Sequence, residues 1–307
     1  MDVKRPTLEG SVAVRDGRRL SFAEHGSPRG RPIVWMHGTP GARRQIPLES
    51  RRMAQDQGLR LIGVDRPGIG SSTPHLYPHL LDWTEDLALL LDALAVDTCH
   101  LVGMSGGGPY VLAAGAALPE RVHGVAVLGG VAPTTGPDAV DGGPIQLAMR
   151  LAPLIAVGRV PLGLVVNQLI RVVRPVAGSC VDLYAAFQPP GDKTLLGRPD
   201  FRAMFIDDIL NGNRFQSSAP LSDLLLFCRD WGFEVADVQV PVHWWHGSDD
   251  HIVPLRHGQH VVDRLPDATM TAMEGQCHLG GLGNVEEMLT ALVQLGPRRR
   301  RAVKAPA

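Results

Sequence analysis

This chain of 307 residues lacks most of the features that would tie a protein to disulfides, metals, nucleic acid or a bilayer. Its four cysteines, Cys99, Cys180, Cys228 and Cys277, are far apart and form no C-x-x-C pair, so neither a zinc site nor a disulfide framework is indicated. Reduced thiols in a cytoplasmic protein are the expectation. Neither sign of charge is in excess: 30 basic residues stand against 31 acidic ones. That balance gives no general attraction to nucleic acid or acidic lipid, so the expected partner is a small molecule, with neither nucleic acid nor membrane. The most hydrophobic stretch, 145–170, is interrupted by Arg150, Pro153, Arg159 and Pro161 and does not read as a spanning helix. The opening MDVKRPTLEGS has no secretory apolar run. There is no internal repeat or low-complexity tract, and oligomeric state is not legible.

What is present is an alternation of short apolar runs with helical patterns. Segments 11–15 and 19–24 flank the turn signal Asp16-Gly17 and read as a hairpin. Apolar runs at 32–36, 61–64, 98–104 and 122–128 read as buried strands, separated by helices over part of 43–57, at about 82–94 and from near Gly106. Asp82 with Glu85 three residues on resembles a capping box for the second of these helices. Right-handed crossovers turn such an order into a mostly parallel sheet with helices on both faces, with functional loops past the C-terminal strand ends.

From 132 to 218 the alternation stops. The segment is rich in helix formers punctuated by proline and glycine, and reads as a helical cap or lid inserted between core parts 1–131 and 219–297. The core resumes with helices at 221–230, 255–264 and 284–295 and strands at 240–245 and 268–273. Residues 298–307, opening with Arg298 to Arg301, read as a basic solvated tail.

The chemistry concentrates at strand ends. Gly103, Met104, Ser105, Gly106 and Gly107 form a G-x-S-x-G elbow between a strand and a helix. A serine at such a turn is strained, and its neighbours must carry no side chain that would meet the strand or helix. The following helix aims its N-terminal N–H groups at the place where an oxyanion forms, and Pro109 suits its first turn. A serine hydroxyl needs an imidazole to take its proton and a carboxylate to orient that imidazole. An acidic loop follows the strand at 240–245, and His278 follows the strand at 268–273.

The order Ser, Asp, His and four motifs, HGTPG at 37–41, DRPGIGSS at 65–72, GMSGG at 103–107 and HGSDDHIVP at 246–254, make the chain resemble the α/β-hydrolase family over nearly its whole length outside the cap. The resemblance implies an α/β-hydrolase fold and a catalytic set of Ser105, Asp250 and His278. Of the two candidate acids, the family spacing, three residues after Gly247 and four before Pro254, selects Asp250, leaving Asp249 to cap a turn. Gly106 and Thr39 are the implied backbone oxyanion donors. His251 and His246 are rival bases; His251 is too close in sequence to Asp250, whereas His278 approaches Ser105 from a separate strand end.

His37 is expected to organise its loop. Candidates for lining a substrate are His37, Met104, Leu147 and Leu151, with Leu154 and Ile155 as further core or pocket residues. Asp65 is expected to fix a loop, Cys277 to pack, and Asp207 and Asp208 to form a solvated helix face. The expected activity is serine hydrolysis of a small, largely apolar ester, with no metal or organic cofactor. An iminopeptidase, a carbon–carbon bond hydrolase, an acyltransferase or a non-catalytic ligand-binding relative would use the same residues. Ser105 argues against epoxide hydrolases and haloalkane dehalogenases, which place an aspartate there.

Overall fold

The computed structural model describes residues 5–212 and 219–296; the basic tail therefore lies outside the described residues. Eight strands form one sheet: β1 Leu8–Ala13, β2 Arg19–Gly26, β3 Arg31–Met36, β4 Leu59–Val64, β5 Cys99–Met104, β6 Val122–Leu128, β7 Val242–Gly247 and β8 Ala268–Met273. Their spatial order is β1-β2-β4-β3-β5-β6-β7-β8. β1 and β2 pair antiparallel, as does β2 with β4, and every other pair is parallel.

The apolar runs explain why both faces of the sheet are covered. Successive side chains point to opposite faces. Along β3, Ile33 and Trp35 pack with α1 (Leu48–Asp56) and, at the far end of the chain, Val285 and Leu289, while Val34 and Met36 pack on the other face with residues 87–91 and 111–114. Those contacts come from α2 (Trp83–Ala93) and α3 (Gly108–Ala117).

After β6 come α4 (Pro144–Val173), α5 (Ala177–Ala186), α6 (Pro190–Gly197), α7 (Pro199–Gly212) and α8 (Ala219–Phe227). Pro153 and Pro161 lie inside α4; its limbs Met149–Gly158 and Pro161–Ile170 meet at 81°, a bend just before Pro161, where a backbone donor is missing. The core then closes with α9 (Leu255–Val262), the single turn α10 (Gly280–Gly283) and α11 (Val285–Leu292).

One local expectation is corrected. Asp82 does not cap α2 with Glu85; it has helical backbone angles, and its carboxylate accepts the N–H of His79 at 2.9 Å, closing the turn before the helix. Glu85 instead pairs with Arg15 across from the N-terminal hairpin. The polar spacing was real, but the turn one step earlier claimed its carboxylate.

Candidate active site

Four loops leave the C-terminal ends of parallel strands and converge: Thr39 after β3, Ser105 after β5, Asp250 after β7 and His278 after β8. Ser105 has φ of +50°, a conformation that costs a non-glycine residue about 1–3 kcal/mol. The surrounding packing forces it. A Cβ on Gly107 would lie 2.2 Å from the Met36 carbonyl oxygen, and one on Gly103 would lie 2.5 Å from Val111 Cγ2. Any larger residue would push strand and helix apart. The first turn after Ser105, to Gly107, is a 3-10 turn, so α3 begins at Gly108, two residues later than the sequence indicates.

Ser105 Oγ lies 2.9 Å from His278 Nε2, and His278 Nδ1 lies 2.7 Å from Asp250 Oδ2. An ionised carboxylate only accepts, so Nδ1 carries the proton and donates it; Nε2 of the neutral ring is then free to accept the serine O–H. All three residues are less than 9% exposed. Asp250 is held from every side. Its Oδ1 accepts the N–H groups of Ile252 and Val253, each at 2.9 Å. Its Oδ2 also faces His246 Nε2 at 3.3 Å. Because His246 Nδ1 accepts the Trp244 indole N–H, its Nε2 bears the proton and is shared between Asp250 and the Val253 carbonyl. Burial alone would raise the Asp250 carboxyl, but the hydrogen bonds from His246 and His278 outweigh it and hold the group well below the usual carboxylate range.

The rivals fall elsewhere. Asp249 is exposed and its Oδ1 accepts only from the Ser248 hydroxyl; the turn-capping role expected of it belongs to Asp250. His251 is exposed and its Nδ1 meets Cys277 Sγ at 3.2 Å. His246 is fully buried and, with Nδ1 accepting from Trp244 and Nε2 facing Asp250 and the Val253 carbonyl, has neither ring nitrogen left for Ser105.

The Thr39 side of the site is built around Arg66, which is completely buried. Its guanidinium donates to the carbonyls of His37 and Gly38, to Thr39 Oγ1 at 2.6 Å and to Asp223 Oδ2 at 2.7 Å. The Thr39 hydroxyl in turn donates to Asp223 Oδ2 at 3.0 Å, and the Tyr110 hydroxyl donates to Asp223 Oδ1. The backbone carrying Thr39 is thereby fixed beside Gly106, where a Cβ would lie 2.4 Å from Thr39 Oγ1. Nothing in the sequence singled out Arg66, Asp223 or Tyr110.

His37 is fully buried, with Nδ1 donating to the Gly38 carbonyl and Nε2 accepting the Arg66 N–H. Burial first, then the nearby Arg66 charge, push its pKa well below the usual histidine value and keep it neutral.

A cavity of about 390 Å³ opens on Ser105, Thr39 and Gly106, with Leu147, Leu151 and Ile155 of α4 and Phe227 of α8 among its walls. His37 and Met104 do not line it, a correction to the sequence reading: both are buried beneath the elbow, where the strand ends need packed atoms. Leu154 is 72% exposed and faces away.

Three carboxylates, from α6, α7 and α8, tie down three of the loops at the strand ends. Asp223 holds Thr39, Asp192 Oδ2 accepts the Leu279 N–H at 3.0 Å next to His278, and Asp208 Oδ2 accepts the Ala42 N–H at 2.9 Å. Asp207 pairs with Arg44 at 3.4 Å. Asp208 is thus not part of a solvated face; it is fully buried, because the loop donor it satisfies is buried. Asp65 accepts the Ser71 N–H within its own loop, as expected, and also ties that loop to the one after β3 by accepting the Arg43 N–H and pairing with the Arg43 guanidinium.

Burial first, with help from the Asp65 and Asp207 charges, lifts the Asp208 carboxyl well above its ordinary value. The folded protein therefore holds that proton more tightly than the unfolded chain. This stability is full below about pH 4 and is lost as pH rises toward the raised value. Asp208→Asn keeps an acceptor for Ala42 and cannot ionise. Thermal melts should show it about 2 °C or more above the parent at pH 8, with no gain at pH 4. A lower melting temperature at pH 8 would mean that the charge itself is required.

Residues 31–284 match the family model described as the alpha/beta hydrolase fold. Among curated relatives, a proline iminopeptidase of Arabidopsis thaliana is 29% identical over 40% of this chain and 33% of its own length. One from Xanthomonas citri is 34% identical over 35% of each. The matched stretches thus span well under half of these relatives. Among solved structures, a Rhodococcus sp. esterase superposes with a TM-score of 0.66 at 24% identity, covering 94% of this chain and 99% of that one. An alpha/beta hydrolase fold protein from Nakamurella multipartita gives 0.69 at 20% identity, covering 93% and 98%. At these identities the likeness is one of fold.

Proposed function

The chain belongs to the α/β-hydrolase fold family, and from that premise we propose that it is a serine hydrolase cleaving a small, largely apolar carboxylic ester through an acyl-enzyme. The observation that carries this reading is the hydrogen-bonded chain from Ser105 through His278 to Asp250, opening into an apolar cavity. His278 Nε2 takes the hydroxyl proton as Ser105 Oγ attacks the ester carbonyl, and Asp250 stabilises the imidazolium. The N–H groups of Gly106 and Thr39 receive the oxyanion. His278 returns the proton to the leaving alkoxide, and water then cleaves the acyl-enzyme by the same sequence. The inserted helices act as a cap whose Leu147, Leu151 and Ile155 shape the acyl site.

A proline iminopeptidase is the second reading, favoured by the names of the relatives. It requires a carboxylate facing the substrate's free amine, and among the described residues lining the cavity there is none. Asp207 and Asp208 are engaged with Arg44 and Ala42. Assays of p-nitrophenyl esters of graded acyl length beside proline p-nitroanilide separate the two: esters should turn over and the proline amide should not. Faster cleavage of the amide would overturn the ester reading.

The same account assigns a cost to loosening Thr39. Asp223→Asn leaves the Arg66 guanidinium buried without its counter-charge, which should cost about 3–5 kcal/mol of stability. It should also lower kcat by about tenfold to a hundredfold, below the loss expected for removing an oxyanion donor outright. Melting and steady-state ester kinetics check both; unchanged kcat in a folded variant would detach this network from catalysis.

A further inference from the structure

Thirteen of the fifteen large apolar side chains exposed among the described residues fall between 147 and 187. Leu154, Val157, Leu164, Val165, Val172 and Phe187 are between 62% and 88% exposed. A monomer in water rarely leaves so many contiguous apolar side chains uncovered, and when it does they mark an interaction surface.

The charges of the same segment say what covers it. From 142 to 181 the sequence contains Arg150, Arg159, Arg171 and Arg174 and no lysine, aspartate or glutamate. Arg150 and Arg174 are exposed. The near-neutral balance of the whole chain conceals this local excess. Asp182, the one acid between 147 and 187, is paired with Arg202, so this apolar surface carries an excess of cations and is complementary to an anionic phospholipid surface: the side chains enter the acyl boundary and the guanidinium groups meet the phosphates. A second copy of the chain is a poorer partner, since a two-fold contact brings two equally cationic faces together.

Shape points the same way. Among the described residues no single helix is long and apolar enough to cross a membrane. The limbs Met149–Gly158 and Pro161–Ile170 meet at 81°. Each ten-residue limb is about 15 Å long, half of a hydrocarbon core of about 30 Å. They suit the interface plane and not a crossing.

We propose that the α4–α5 face docks on anionic bilayer surfaces. Leu147 and Leu151, from the same helix, line the cavity above Ser105, so docking sets the cavity mouth against the acyl layer.

The test is flotation of the full chain with vesicles of phosphatidylglycerol and phosphatidylcholine in equal parts, beside vesicles of phosphatidylcholine alone. The parent should float with the anionic vesicles and not with the neutral ones, and binding should fall in high salt. Arg150→Ser with Arg174→Ser should weaken binding by about tenfold or more, at about fivefold for each arginine near the surface. Leu154→Ser with Val157→Ser and Leu164→Ser should weaken it at least as much. Unchanged melting temperatures keep these variants informative. Absence of flotation with anionic vesicles overturns the proposal, as does binding that neither set of substitutions weakens. A concentration-dependent dimer in light scattering, dissolved by the apolar substitutions, would instead assign the face to a second copy and overturn it too.

Discussion

Ser105→Ala should lower kcat for ester hydrolysis by about 10⁶-fold, leaving only what oxyanion donors and binding contribute without a nucleophile. The loss is expected to be purely chemical. Position 105 has a φ of +50° and should keep it with alanine, since Gly103 and Gly107 fix the turn through contacts that do not involve the hydroxyl. Alanine relieves no strain and opens no large cavity. Melting within about 2 °C of the parent, combined with activity at background, is the expected pair of results. Residual turnover well above background would mean that water, activated directly by His278, attacks the ester.

Asp250→Asn should cost about 10⁴ in kcat, while Asp249→Asn should stay within about twofold, as surface changes do. Asp250 accepts four donors: His278 Nδ1, His246 Nε2 and the N–H groups of Ile252 and Val253. An amide offers one oxygen in place of two. Turned toward the backbone, it presents N–H to His278 and forces the tautomer whose Nε2 carries the proton and cannot accept from Ser105. Turned toward His278, it leaves two backbone donors facing a donor.

The carboxyl also shapes the acid limb of stability. Its folded pKa is depressed, so its contribution is complete above about pH 4 and is lost as pH falls through the depressed value. Asp250→Asn should flatten that limb in acid melts. If Asp249→Asn were the inactive variant, the assignment of the acid would reverse.

The parts of the site that could be read from sequence are those fixed by short-range sterics or by strand ends. Gly103 and Gly107 announce the elbow because each packs where a Cβ has no room, a constraint carried within five residues. The strands at 32–36, 98–104 and 122–128 were legible because residues buried on both faces leave an unbroken apolar run. What failed was the choice among nearby polar groups. Asp82 and Asp249 sit at plausible capping positions, yet their carboxylates bond to the turn before the helix and to Ser248.

The Arg66–Asp223 pair was out of reach for a different reason. The partners are 157 residues apart, and neither local pattern hints at the other. Met104 and His37 were expected at the cavity because they adjoin the motifs; adjacency in sequence placed them under the site instead of in its wall. The chain-wide charge balance hid the all-arginine segment in the same way, by averaging over it.

The most direct test of the account is intact and peptide mass spectrometry of the full chain after reaction with a fluorophosphonate, with ester hydrolysis followed in parallel. A single adduct on the peptide containing Ser105, forming in step with the loss of ester hydrolysis and absent from His278→Ala, is the predicted result. Ester hydrolysis that persists in fully labelled protein, or labelling confined to another residue, would contradict a Ser105 nucleophile activated by His278.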